Sequence, residues 1–185
     1  MKGLCTMLAS DGIEDCRKAC GGNGFLLSSG IGALSGDYLE FPTAEGDAAM
    51  LQLYLARYLV KVLQGIAKGQ PPQGSCDYLA VVGQAGFSLQ AHRPQPSPTP
   101  TALRDLDTLV ALYRYRALRS LLAVSGEIMR RVAAGMAADD AWSETSMQLV
   151  QAARAHCFLV ILTTFAAACR AAEDAGLQRA VSRLC

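Results

Sequence analysis

Apolar residues at helical spacing are the feature that most restricts how this chain can fold. After Asp47 they recur every three or four positions, at Leu51, Leu55, Leu59, Val62 and Ile66. This spacing is typical of one face of an α-helix. Asp47 is suited to begin that helix as its N-cap, and Gly69 is suited to end it. Residues 102–137 and 143–175 carry two further long helical patterns, and no strand pattern of any length is found. The sequence therefore predicts an all-α fold of helical bundle segments.

Glycine and proline divide this helical pattern into parts. Residues 2–20 are helical in pattern, and residues 21–46 form a long glycine-rich connection with few regular signals. Residues 69–101 are rich in Pro, Gly, Gln and Ser, and their run HRPQPSPTPT can form neither helix nor inner strand. We therefore predict a helical domain over 1–68, a linker over 69–101 with a short ordered piece near 78–82, and a second helical domain of antiparallel long helices over 102–185.

Composition argues against several classes of partner. The chain has 17 basic and 16 acidic residues and a formal charge of +1, without a basic stripe, so we expect no nucleic-acid binding. The most apolar stretch, 157–169, is shorter than the roughly 20 residues that a membrane helix needs, and it is typical of a buried core helix. The cysteines are irregularly spaced and the two histidines lie far apart, so we predict no metal site.

Two short motifs leave alternatives open. CGGNGF, residues 20–25, places a Gly-Gly-x-Gly run directly after a helix, which is the wrong order for a dinucleotide-binding strand and helix. It is either a helix C-cap with a turn, or a turn whose open backbone N–H groups approach a phosphate or a flavin. Glu45 is either a surface residue favoured by the positive end of the next helix, or a catalytic base.

The combination of these motifs resembles a known enzyme family. DGIEDCRKACGGNGF at 11–25 is followed, twenty residues after Phe25, by Glu45-Gly46-Asp47, and then by LQLYLARYLVK at 51–61. This arrangement resembles the acyl-CoA oxidase family, the peroxisomal relatives of the acyl-CoA dehydrogenases. The resemblance covers residues 1–68 well. The long helices after the linker resemble the extra C-terminal helical domain of that family less specifically.

The resemblance implies a chemistry and a set of site residues. Members of the family bind FAD and oxidise a fatty acyl-CoA to the trans-2-enoyl-CoA, while O2 is reduced to H2O2, as a step of fatty acid β-oxidation. Glu45 matches the catalytic base that removes the α-proton, and Gly46 matches backbone at the thioester site. The matching cofactor residues are Gly21, Gly22, Gly24 and Asp47. The resemblance further implies a homodimer whose FAD sites are shared across subunits.

Three expectations follow from this match. We expect Glu45 to lie dry, close to the glycine turn and beside a cavity that a flavin could share. We expect a peroxisomal location from the family alone, because Ser182-Arg183-Leu184, which resembles a peroxisomal signal, is followed by Cys185. We also expect a fragment, since the N-terminal helical domain and central β-domain of the family have no counterpart here. The alternatives are a catalytically inactive helical or dimerisation module derived from the family, and an acyl-CoA dehydrogenase relative.

Overall fold

The all-α prediction is confirmed by a computed structural model of the chain. It describes residues 1–97, 99, 104–172 and 176, and within these ranges it contains α-helices and 3₁₀-helices but no β-strand. The chain divides into two compact units, Met1–Leu55 and Ala56–Cys185. These are called the first and second unit below. The domain boundaries at 68 and 101 stay a prediction.

The first unit begins with helix α1, Lys2–Ala19, which is followed by 3₁₀-helices at Gly21–Phe25 and Leu27–Ser29 and by helix α2, Ile31–Tyr38. The sequence predicted a mostly irregular connection over 21–46, and this was wrong for α2. Gly32 and Gly36 lie within α2 and weaken its helical pattern, because glycine has a low helix propensity. Contacts between α2 and α1 provide the tertiary stabilisation that a local pattern does not reveal.

Helix α3, Ala48–Ala67, begins where the sequence predicted. The Asp47 carboxylate accepts hydrogen bonds from the backbone N–H groups of Ala49 at 2.8 Å and Met50 at 3.3 Å. Asp47 is therefore the N-cap of α3, as predicted. The helix ends just before Gly69, which has a φ of +80° and donates its N–H to the carbonyl of Ile66. Gly69 thus provides the left-handed stop that the sequence indicated.

The second unit is organised around helices α4, Leu106–Ala133, and α6, Ser146–Ala171. The residues between the two predicted helical patterns form a short helix, α5, Ala138–Glu144. Ion pairs join the start of α4 to the end of α6, through Asp107 and Arg170, and the end of α4 to the end of α5, through Arg131 and Glu144. The long helices are therefore antiparallel, as predicted. Residues 102–103 and 173–175 of the predicted helices lie outside the described residues.

The segment predicted as a linker contains a 3₁₀-helix, Gly74–Gly83, that extends beyond the short ordered piece expected near 78–82. Its Cys76 is 1% exposed and its Leu79 is 0% exposed. The helix contacts α4, so this part of the segment belongs to the packed core of the second unit. The sequence pattern did not indicate this because the segment has glycine at both ends and only two fully buried positions.

Helix α6 carries much of the buried surface of the second unit. Its side chains pack with Ala117 of α4 in a core that includes Ala155 and Leu159. Among the described residues, α6 is also the one helix that is long and apolar enough to cross a membrane. In its apolar stretch of 18 residues, 44% of the residues are buried within the protein. The absence of a membrane span stays a prediction.

Candidate functional site

Glu45 occupies an unusual backbone conformation. Its φ is +56°, and no other non-glycine residue in the described part of the chain has a positive φ. The next residue, Gly46, also has a positive φ, of +111°. The left-handed region costs a residue with a Cβ about 1–2 kcal/mol, so the surrounding structure must hold Glu45 in place. The Glu45 side chain is exposed to solvent in this chain.

Lys2 holds the turn that contains Glu45. Its ammonium group donates hydrogen bonds to the backbone carbonyls of Ala44 and Gly46, the latter at 2.9 Å. These carbonyls lie on either side of Glu45. Sequence reasoning missed Lys2, since a lysine 42 and 44 residues before its partners has no pattern that links it to them.

Gly46 is required by its own surroundings. A Cβ added at this position would lie 3.1 Å from Cδ2 of Leu51, and the φ of +111° is one that other residues rarely adopt. The family resemblance matched Gly46 to backbone at the thioester site. The structure gives a local reason as well, because a side chain here would strain both the backbone and the contact with Leu51.

The glycine turn contains two kinds of glycine. Gly24 is buried, and a Cβ there would lie 2.1 Å from the carbonyl oxygen of Arg17, so Gly24 is needed for the turn to close onto α1. Gly21 and Gly22 are exposed, and an added Cβ would meet nothing within 4 Å. Gly21 and Gly22 therefore leave the backbone open to solvent, whereas Gly24 is required for packing against α1.

Arg17 stabilises the end of α1 that leads into the glycine turn. Its guanidinium group forms two hydrogen bonds of 2.7 Å to the Glu14 carboxylate and lies 4.4 Å from the ring centroid of Phe25. The hydrogen bonds from Arg17 lower the pKa of Glu14 to about 2. The structure therefore places Arg17 in an ion pair with Glu14 near the end of α1.

The expectation that Glu45 lies close to the glycine turn was wrong for a single chain. Lys2, which binds the Glu45 turn, is the first residue of α1, whereas Gly21 follows the last turn of the same helix. An α-helix rises 1.5 Å per residue, so the 18 residues of α1 separate these two places by about 27 Å. Glu45 and the glycine turn are at opposite ends of α1, because α2 runs back along that helix.

Three open cavities lie in the second unit. Two open cavities of about 600 and 620 Å³ share Tyr115 and Arg119 in their walls, and a third of about 290 Å³ lies between Arg57 and Trp142. None of the six predicted site residues lines these three cavities. Over the described ranges, no group of three or more His, Cys, Asp or Glu residues is placed to hold a metal ion.

Comparison with known proteins identifies the family. Residues 1–60 match the acyl-CoA oxidase C-alpha1 domain, and residues 105–185 match the acyl-CoA oxidase domain. A peroxisomal acyl-coenzyme A oxidase 1 from Mus musculus is 32% identical over 190 residues, which cover 100% of this chain and 28% of the mouse protein. The chain thus spans little more than a quarter of the length of this relative.

Solved structures give the same result. Acyl-CoA oxidase 1 from Arabidopsis thaliana superimposes with a TM-score of 0.86 and 29% identity, over 100% of this chain and 27% of that one. An acyl-CoA oxidase-1 from Caenorhabditis elegans, solved in complex with FAD and ATP, gives a TM-score of 0.81 and 27% identity, over 98% of this chain and 26% of that one. The chain therefore belongs to the acyl-CoA oxidase family of oxidoreductases and matches the helical C-terminal part of its members.

Proposed function

We propose that this chain is the part of an acyl-CoA oxidase that provides the catalytic base, Glu45. The reaction is the FAD-dependent oxidation of a fatty acyl-CoA to the trans-2-enoyl-CoA, with O2 reduced to H2O2, in fatty acid β-oxidation. The observation that carries the proposal is the left-handed backbone of Glu45, the only non-glycine residue with a positive φ in the described part of the chain. Strained backbone of this kind concentrates at active sites, where it presents a side chain in one orientation.

The chemistry assigns two groups of Glu45 to the substrate. Its carboxylate removes the proton from the carbon next to the thioester carbonyl. Its backbone N–H donates a hydrogen bond to the thioester oxygen, where negative charge develops as the proton leaves. Gly46 continues the backbone at the thioester without a side chain. Both groups of Glu45 act best away from water, and this chain leaves Glu45 exposed, so the rest of the oxidase must cover the site.

FAD is the cofactor that we propose, and Gly21 and Gly22 are the residues best suited to approach its nucleotide. When bound, FAD accepts the hydride from the β-carbon and passes the electrons to O2. The C. elegans relative was solved with FAD, which supports this assignment. Gly24 allows the same turn to pack closely against the Arg17 carbonyl. Asp47 stays a predicted cofactor residue, and its carboxylate also caps α3.

A homodimer with shared cofactor sites is part of the same proposal. The roughly 27 Å length of α1 separates Glu45 from the glycine turn of the same subunit, so these two parts of one subunit serve different active sites. In a dimer, Glu45 of one subunit and the glycine turn of its partner can complete one site. The substrate partners are a fatty acyl-CoA and O2.

The location that we propose is the peroxisome. Several relatives that match over the full chain are named as peroxisomal, among them proteins from mouse, rat and Arabidopsis. The Ser182-Arg183-Leu184 sequence and the following Cys185 lie outside the described residues.

A second candidate function is a helical module that retains the family fold without catalysis. The exposure of the Glu45 side chain in this chain favours it. The two candidates differ in what happens when this chain is joined to the parts of an oxidase that it does not span, since only the first predicts turnover.

Spectroscopy and peroxide release test these proposals. We expect the purified 185-residue chain to be colourless. A chimera in which this chain replaces the matching part of the mouse relative should bind FAD and release H2O2 with an acyl-CoA. Glu45→Gln should lower turnover by about 10³-fold and retain the flavin spectrum, whereas Glu40→Gln should have no effect.

Other results with the chimera would support a different function or exclude Glu45 as the base. An FAD-bound chimera that does not reduce its flavin with an acyl-CoA would support the inactive module. A chimera whose flavin is reduced by the substrate without release of H2O2 would support a dehydrogenase relative. Full turnover in the Glu45→Gln variant would exclude Glu45 as the base.

A further inference from the structure

We propose that Lys2 is a positioning residue for Glu45, whose turn it holds in the left-handed conformation that presents the carboxylate. The catalytic meaning of this inference rests on the proposed function, but the conformational effect does not. Lys2 lies at the start of α1, and the turn that it binds immediately precedes α3. The side chain thus joins two elements that are 42 to 44 residues apart in sequence.

The contacts of Lys2 are specific to the turn. Its Nζ donates to the carbonyl of Ala44 and, at 2.9 Å, to the carbonyl of Gly46. One carbonyl precedes Glu45 and the other lies in the next residue, so a single ammonium group restrains the chain on both sides of Glu45. An ammonium group is suited to this task because it has three N–H donors and no acceptor.

The turn needs such a restraint because Glu45 has a Cβ. At its φ of +56° the Cβ crowds the backbone, and a right-handed or extended conformation is favoured once the restraint is lost. A change of φ reorients both the side chain and the backbone N–H of the same residue. Both groups that we assign to the substrate would therefore move together when Lys2 is replaced.

The fold should survive replacement of Lys2, because other contacts hold the start of α1. Gly3 lies so close to α3 that an added Cβ would be 3.1 Å from the carbonyl oxygen of Ala48 and 3.3 Å from Cβ of Leu51. Leu4 is 1% exposed. These buried contacts do not involve the lysine ammonium group, so Lys2→Met removes the two hydrogen bonds and leaves this packing.

Nuclear magnetic resonance of the isotopically labelled 185-residue chain tests the conformational part directly. A strong intraresidue NOE between the amide proton and Hα marks a positive φ. We expect it at Glu45 in the unmodified chain and in Lys2→Arg, which retains several donors, but weakened in Lys2→Met. The control Lys61→Met, at an exposed position of α3, should retain it.

The result that overturns this part is an undiminished NOE at Glu45 in a folded Lys2→Met chain. If Lys2→Met does not fold, the unmodified chain decides the matter. An NOE from the Lys2 ammonium or Hε protons to Gly46 Hα supports the contact, and its absence in an otherwise assigned spectrum overturns it.

Kinetics in the full-length chimera test the catalytic part. Lys2→Met should lower kcat by about 10- to 100-fold with little change in KM for the acyl-CoA, because misplacement of a reacting group affects the chemical step. Lys2→Arg should recover much of the loss, and Lys61→Met should match the unmodified chimera. An unchanged kcat in Lys2→Met, with FAD bound, overturns the positioning role. If the unmodified FAD-bound chimera itself does not turn over, the proposed function fails, and the NMR result still decides whether Lys2 sets the conformation of Glu45.

Discussion

The hydroxyl oxygen of Tyr78 lies 3.3 Å from Nδ1 of His156, in the interior of the second unit. The two rings are tilted, with centroids 5.8 Å apart. His156 is 4% exposed, and burial lowers its pKa to about 4, while burial also raises the pKa of Tyr78. Both side chains are therefore neutral near pH 7. The pair connects the Gly74–Gly83 segment to helix α6.

The first prediction concerns pH and His156. Its pKa is about 4 in the folded chain and near 6.5 when unfolded, so the unfolded chain binds the proton more readily. The His156 contribution to stability is therefore full above pH 6.5 and is lost as the pH falls from 6.5 to 4. The expected loss at pH 4 is about 3 kcal/mol, measured by urea unfolding across this range.

Two variants separate His156 from the other titrating groups. His156→Leu should remove this part of the pH dependence, while His92→Gln, at the exposed second histidine, should leave it unchanged. If the free energy of unfolding falls equally with pH in His156→Leu and in the unmodified chain, then His156 takes up a proton in the folded state as readily as in water.

The second prediction concerns the hydroxyl group of Tyr78. Tyr78→Phe removes the hydrogen bond and leaves Nδ1 of His156 without this partner in a buried place. We expect a loss of about 1–2 kcal/mol in the free energy of unfolding at pH 7. Tyr54→Phe, at a position that is 60% exposed, is the matched control and should change stability by less than about 0.5 kcal/mol. Equal effects of the two substitutions would contradict a stabilising Tyr78–His156 contact.

The third prediction separates the two kinds of glycine in the turn after α1. Gly24→Ala places a Cβ 2.1 Å from the Arg17 carbonyl oxygen, so the turn must shift away from α1. We expect a loss of about 1–3 kcal/mol, as for other cases of overpacking. Gly22→Ala meets nothing within 4 Å and should change stability by less than about 1 kcal/mol.

Gly22→Ala also tests the cofactor role in the full-length chimera. If Gly22 lies against the FAD nucleotide, Gly22→Ala weakens FAD binding without lowering stability. Tight FAD binding by a stable Gly22→Ala chimera would remove Gly22 from the cofactor site.

Helices α1, α3, α4 and α6 were predictable from sequence because their apolar spacing and end signals are local. The N-cap Asp47 and the left-handed stop at Gly69 are set by the chemistry of single residues and their neighbours in sequence. The burial of His156 likewise agrees with the apolar stretch 157–169 that follows it directly in sequence. Its partner Tyr78 lies 78 positions away, and no local pattern indicates that contact.

The candidate site was predictable in its residue types but not in its geometry. The motif that contains Glu45 indicated a catalytic carboxylate but not the positive φ of Glu45. Lys2 reaches the carbonyls of Ala44 and Gly46, on either side of Glu45, only because α2 returns along α1. The distance between Glu45 and the glycine turn likewise follows from the length of α1 and the return of the chain along it. An irregular connection over 21–46, as predicted, would leave that distance undetermined. Local chemistry was visible in the sequence, whereas long-range placement required the fold.

The fourth prediction distinguishes the capping role of Asp47 from a cofactor role. Asp47→Ala removes the acceptor for the N–H groups of Ala49 and Met50 and should cost about 1 kcal/mol of stability. Asp47→Asn retains a good N-cap and should cost less than Asp47→Ala. FAD titration of the Asp47→Asn chimera then shows whether the charge matters, since a cap alone predicts unchanged affinity and a weakened affinity indicates that the carboxylate serves the cofactor.

The fifth prediction uses the backbone of Glu45. Glycine adopts a φ of +56° without the steric cost that a Cβ imposes, so Glu45→Gly should stabilise the chain by about 1 kcal/mol in urea unfolding. Glu40→Gly, at an exposed position that does not have a positive φ, should instead be neutral or destabilising. In the chimera, Glu45→Gly should abolish turnover while raising stability, because strain at Glu45 is retained for the carboxylate that it presents. A destabilising effect of Glu45→Gly equal to that of Glu40→Gly would mean that the left-handed conformation carries no cost at this position.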